Sequence, residues 1–267
     1  MMLSHLAYAA RTYPDEFSLL VDAMDLQEAI VVIPEIILEE SAGNHGMTPE
    51  RYQAYYEPLF QQLSQSTDIY VVPFETAFQV IEHGAQTASE AFTQFQLMAL
   101  LLNKGNAEIK PMIEVATDVA GIQAALTLHA KDAGERIIHL FTCAFLFDGV
   151  PTVRVYSNEN RGVYNIRYLS SCDETLREIL RFPTQTAFLT SYELESFDCI
   201  LMRILQAKKA AWSPEQLLDF LNRYRIKSLK NRDVRFLLPP KFSDKRQVTN
   251  QELLTLFLSN EEFVLTF

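Results

Sequence analysis

Along this chain, short apolar runs alternate with longer stretches in which apolar residues recur every three or four positions. Residues 18–26 carry the second pattern and predict a helix. Residues 29–33, Ala-Ile-Val-Val-Ile, are short and β-branched enough for a buried strand that stops at Pro34. Proline lacks the N–H that a first helical turn leaves unpaired anyway, so a helix over 35–41 can follow it directly. Residues 42–46 read as a loop, and Thr48-Pro49 as an N-cap with proline behind it, opening a helix to about residue 65. A second strand is expected at 69–72, closed by Pro73, and 74–103 and 110–130 are helical in pattern. A helix at 134–147, a stop at Gly149, a strand at 152–156 and a loop at 157–162 complete this part.

Strands separated by helices predict an α/β fold: three layers, α/β/α, around a mostly parallel sheet. That domain is expected over 1–202, with a helical insertion at about 74–130. Near Ser213 the pattern changes. Ser213-Pro214-Glu215-Gln216 and Thr249-Asn250-Gln251-Glu252 both read as capping boxes, each followed by apolar residues at helical spacing. Pro239-Pro240 breaks the stretch between them, so 203–267 is expected to be a helical C-terminal extension, with Trp212 stapled onto it.

Composition narrows the class. Hydrophobic residues at 48% and charged ones at 21% are those of a folded globular chain. The longest apolar runs are too short to span a bilayer, and the N-terminus has no basic signal-type region. Three cysteines without CxxC spacing exclude a zinc or disulfide framework and point to a cytoplasmic protein. The net charge of −11 is uneven: residues 203–267 hold 12 Lys/Arg against 7 Asp/Glu, while 1–202 hold 11 against 27. Arg223, Arg225, Lys227, Lys230, Arg232 and Arg235, interrupted by Tyr224 and Phe236, form a candidate nucleic-acid-binding run. A solvated basic face, or one docked on the acidic half, is the plainer alternative.

Candidate chemistry sits in the acids. Asp132-Ala133-Gly134-Glu135 opens a helix, and Tyr156-Ser157-Asn158-Glu159 follows a strand, the end of an α/β sheet where sites are built. Carboxylates gathered there repel one another unless a hard divalent cation joins them. Alternatively, acids in first turns simply complement helix dipoles. The histidines have no HxxxH or HExxH spacing, and His139 and Cys143 lie on one apolar helical face as core residues. No glycine-rich phosphate loop occurs.

Three segments together resemble the PIN-domain ribonucleases. Residues 30–40, Ile-Val-Val-Ile-Pro-Glu-Ile-Ile-Leu-Glu-Glu, are similar to the family's second strand and the acid-bearing helix after it, with Glu40 in the acidic place and Glu39 next. Asp132-Ala133-Gly134-Glu135 is similar to its Asp/Gly-Glu helix start, and Val153-Arg154-Val155-Tyr156-Ser157-Asn158-Glu159 to its strand ending in Ser-Asn-acid. The resemblance implies a PIN-like sheet with Glu40, Asp132, Glu135 and Glu159 holding Mg2+ or Mn2+ in one cleft. Glu40, Glu135 and Glu159 would be catalytic, and Ser157 and Asn158 would orient a phosphate or water. The implied activity is metal-dependent hydrolysis of single-stranded RNA. The family's first strand ends in a metal-binding Asp, and Met1-Met2-Leu3-Ser4-His5 offers no acid in its place. The alternative is therefore a catalytically degenerate PIN-like module that binds nucleic acid or protein. A protein partner or inhibitor, and self-association, stay open; a membrane partner is not expected.

Overall fold

Proline closes each of the first two apolar runs, and those runs lie side by side as one sheet. The computed structural model describes residues 2–42, 47–129, 133–158, 162–226, 233–238, 242–260 and 263–266. Helices α1 (Met2–Thr12) and α2 (Phe17–Met24) precede β1 (Ile30–Pro34). Helices α3 (Glu35–Ala42), α4 (Pro49–Tyr55) and α5 (Glu57–Leu63) cross to β2 (Asp68–Val72), which pairs with β1 in parallel from Ile30↔Asp68 to Pro34↔Val72. Five helices follow: α6 (Glu75–Gly84), α7 (Ala88–Leu102), α8 (Ile109–Val115), α9 (Val119–Leu126) and α10 (Ala133–Phe147). Then come β3 (Val153–Tyr156), the helices α11 (Gly162–Cys172), α12 (Glu174–Ile179) and α13 (Gln185–Ser191), and β4 (Tyr192–Glu195), parallel to β3. The remaining elements are α14 (Phe197–Lys208), α15 (Pro214–Tyr224), β5 (Asp233–Leu238), β6 (Phe242–Gln247), α16 (Asn250–Ser259) and β7 (Val264–Thr266).

The protein is thus mixed α/β, dominated by helices, with two small parallel sheets and one antiparallel sheet among the described residues. Buried side chains form two cores. One gathers α1, α2, α5, α14, α15 and α16; the other gathers α6–α10 with α12, α13, β3 and β4. Strand residues serve both: Val155 belongs to the second core, whereas its neighbour Tyr156 packs against the first, as the alternation of a strand requires. No described helix is long and apolar enough to cross a membrane.

Local chemistry explains where the pattern was read too coarsely. The helix expected from 48 to 65 divides at Tyr56 into α4 and α5, because Pro58 cannot donate to the carbonyl four residues back. The run at 74–103 divides before Thr87, whose hydroxyl caps α7 by accepting from Glu90 N at 3.1 Å. Asp118 caps α9 in the same way through Gly121 N at 2.8 Å. Both expected capping boxes are present at Ser213 and Thr249, and Trp212 packs on Phe220 with ring centroids 5.5 Å apart.

The C-terminal segment differs from the helical expectation. Between its two capped helices lies a hairpin, and β7 joins it to give the strand order β6-β5-β7. Val234, Phe236 and Leu238 alternate with Asp233, Arg235 and Leu237, a period of two that the run of basic residues obscured. The junction expected at 202/203 falls inside α14.

Arg225 shows how closely this segment is joined to the rest. Its guanidinium is completely buried. Nε donates to Asp198 at 2.9 Å, and Nη1 donates to Val248 O at 2.8 Å and Asn250 Oδ1 at 3.1 Å. Removing one partner of a buried ion pair leaves the other charge uncompensated, a loss of about 3–5 kcal/mol. Asp198→Ala should therefore lower the unfolding free energy in urea by about that amount; a change below ~1 kcal/mol would show that Asp198 does not carry the Arg225 charge.

Candidate functional site

Helix α3 and strand β3 both pack on α10, and Glu40, late in α3, meets the start of α10. Helix α10 runs to Phe147, the chain turns at Gly149 with φ +90°, and β3 returns against the helix it has just left. The left-handed φ is the reason glycine stands at 149. Helix α3, which begins where β1 stops, packs on α10.

The first and second acidic motifs meet there. Glu40 Oε1 accepts a hydrogen bond from Gly134 N at 2.7 Å, across 94 residues of sequence. A Cβ on residue 134 would lie 2.4 Å from Glu40 Oε2 and 2.7 Å from Ile37 Cδ1, so only glycine admits the carboxylate this closely. Glu135, the next residue, is half-buried in the same turn. A carboxylate at a helix N-terminus satisfies an otherwise unpaired N–H and sits at the positive end of the helix dipole.

Around the third motif, Ser157 N extends the β3–β4 ladder by donating to Glu195 O at 2.9 Å. Asn158 is buried. Its Oδ1 accepts from Phe197 N at 2.9 Å, and its Nδ2 lies 3.2 Å from His5 Nδ1, linking β3 to α14 and α1. Asp132 and Glu159 lie outside the described residues, as do Lys227, Lys230 and Arg232. Among the described residues, no group of three or more His, Cys, Asp or Glu is placed to hold a metal ion. Where the expected chain begins without an acid, His5 stands on a helix and packs on Phe197.

Of the basic candidates, Arg225 has no surface left for a phosphate. Arg223 is held by Glu16 at 2.6 Å and Asp219 at 3.2 Å and lies over the ring of Tyr13. Arg235 stands in β5.

A charged cluster that the sequence reading missed occupies the other face of the β3–β4 sheet. Arg154 and Glu193 are register partners joined at 2.7 Å, and Arg203 reaches Glu195 from α14. Tyr156 Oη and Arg154 Nη1 both donate to Met24 O, where α2 ends. Burial pushes the Glu195 carboxyl up against the pull of Arg203 and Arg154. Its Oε2 accepts no hydrogen bond among the described residues. The signal was present in Tyr192-Glu193-Leu194-Glu195, whose alternation marks a strand with one acidic face.

His139 and Cys143 are core residues, both wholly buried on α10. Tyr192 Oη meets His139 Nδ1, while Nε2 has no described partner. Burial holds the imidazole down to about 3 and pushes the Cys143 thiol up to about 12. The unfolded chain takes up a proton at His139 near pH 6.5 that the folded chain refuses until about pH 3. This contribution is complete above pH 6.5 and declines as pH falls, so acidifying from 7 to 5 should cost about 2 kcal/mol. His139→Leu should flatten that part of the stability–pH curve, and parallel curves for the two proteins would refute the assignment.

Gly134→Ala should displace the Glu40 carboxylate and destabilise the fold by about 1–3 kcal/mol, measured by urea unfolding. Glu40→Gln in the Gly134→Ala background should then cost far less than in the parent. No protein-family model, curated protein or solved structure matches this chain.

Proposed function

We propose that this chain is a PIN-like, metal-dependent ribonuclease acting on single-stranded RNA, its strands forming the central layer of a three-layer α/β/α fold. The observation that carries the reading is the Glu40–Gly134 hydrogen bond, which brings the first acidic motif onto the helix turn bearing the second. On this reading Ser157, at the end of β3, would orient a phosphate or water beside those acids.

The four candidate ligands are all carboxylates, a donor set suited to a hard divalent cation. Glu40, Asp132, Glu135 and Glu159 would hold Mg2+ or Mn2+, which would polarise the phosphodiester and lower the pKa of an attacking water. The N-terminal dipole of α10 adds positive potential where a phosphate would approach. Gly134 gives Glu40 its position, and the buried Asn158 fixes the end of β3 against α14.

A second reading, a catalytically degenerate module that binds RNA or protein, is favoured by how the same groups are engaged. Glu40 accepts from a scaffold N–H, and both ends of the Asn158 amide bond other elements of the fold.

The two readings separate by experiment. On the first, Mn2+ raises the melting temperature by mass action, Glu135→Gln abolishes the rise, and an oligouridylate is cut slowly in Mn2+ by the parent alone. An unchanged melting curve in millimolar Mn2+, with RNA bound but intact, would eliminate the enzyme and leave the binding module.

A further inference from the structure

A parallel sheet ordinarily has both faces covered, so its strands are buried. The sheet of β1 and β2 departs from this at its outer strand. Among the described residues β2 has β1 as its one strand neighbour, and none of its five residues is buried. Val31 and Ile69, opposite each other in the register, pack against the first core, while Val72 packs against the second. The two cores therefore cover the two faces only in part. Tyr70 is 51% exposed and Val71 38%, and successive residues of a strand point to opposite faces. Exposure on both faces at neighbouring positions places β2 at an open rim of the fold. Ile30, on the same face as Tyr70, is 63% exposed as well.

An open strand edge presents N–H and C=O groups that no strand pairs, and proteins ordinarily blunt such an edge with lysine, a bulge or a covering element. The register of β2 with β1 runs unbroken, and Asp68-Ile69-Tyr70-Val71-Val72 holds no lysine. Pro73 limits the edge to these five residues and leaves them available.

Charge selects the occupant. Residues 12–103 hold 14 Asp/Glu against a single basic residue, Arg51. Asp68 at the start of β2 and Glu75 just beyond its end are both exposed, and so are Asp25 and Glu28 ahead of β1. A nucleic acid is repelled at this rim, as is a second copy of a chain whose net charge is −11. A cationic chain in extended conformation is attracted, and its backbone can pair with the free edge.

We infer that the outer edge of β2 is a docking site for an extended segment of a basic protein, which adds a further strand to the β1–β2 sheet. Main-chain hydrogen bonds hold the segment, Tyr70 and Val71 give it an apolar neighbour on each face, and Asp68 and Glu75 attract its lysines or arginines. The inference goes beyond the nuclease reading and does not depend on it.

The test uses the full chain and a fluorescein-labelled peptide of alternating lysine and valine. Fluorescence anisotropy should show saturable binding that weakens with salt, and a peptide of alternating glutamate and valine should not bind. Methylating every backbone nitrogen of the basic peptide should abolish binding, because it removes the hydrogen bonds of an added strand. Tyr70→Lys should weaken binding about tenfold and leave the melting temperature unchanged, since the side chain is half exposed. Asp68→Asn with Glu75→Gln should flatten the salt dependence. In the parent, bound peptide should slow amide hydrogen exchange at alternate residues of 68–72, as pairing along one strand edge requires. Absence of binding by the basic peptide would overturn the inference, as would equal binding of the methylated or the glutamate peptide. Unchanged exchange at 68–72 with peptide bound, or displacement of the peptide by an oligouridylate, would overturn it too. Dimerisation of the parent that Tyr70→Lys abolishes would give the edge to a second copy and refute the inference equally.

Discussion

A guanidinium with no access to water must find its hydrogen bonds inside the protein, and Arg225 finds them on Asp198, Val248 and Asn250. This requirement fixes α15, α14 and the start of α16 against one another, because three donor directions of the planar group are held by their acceptors. Hydrophobic contact alone would allow these helices to slide; a buried charge with three specific acceptors does not. Asn250 tightens the same knot by donating to Leu221 O at 3.1 Å at the end of α15. The last third of the chain is consequently part of the fold's first core, and its basic residues divide between those that hold the structure and those left to the hairpin.

The acidic end is governed by a related constraint. The first-turn N–H groups of α10 have no acceptor within the helix, and Glu40 takes that of Gly134 because residue 134 has no side chain. The contact joins α3 to α10 and carries Glu40 to the turn that holds Glu135. A structural and a chemical role both draw on a carboxylate at the positive end of a helix. The β3 face opposite is neutralised differently, by alternating Arg and Glu across two parallel strands.

Much of the element order was legible in the sequence where a single residue dictates the backbone. Pro34, Pro73 and Gly149 marked ends correctly, as did the capping boxes at Ser213 and Thr249. Tertiary partners were less legible. Nothing local reveals that Arg225 is buried or that Asn158 caps Phe197, since those assignments depend on segments far away in sequence. The last sheet was hidden because a basic run reads as solvated surface, whatever its periodicity. Residues 163–202 carried no assigned element, yet they contain most of α11, all of α12, α13 and β4, which pack on the second core, and the start of α14, which packs on the first.

The two cores differ in how their residues are drawn from the chain. The second is closed by a continuous stretch, Phe74 to Tyr192, rich in neighbouring helices. The first joins Met2 to Leu63 with Phe197 to Phe257. Loop-closure entropy must be met before contacts of such separation stabilise anything, whereas local helical contacts form early. During synthesis the first helices therefore have only α4 and α5 to pack on, and the rest of their apolar surface waits until α14, α15 and α16 have left the ribosome. The middle of the chain is the part able to fold first, and the two ends must wait for each other.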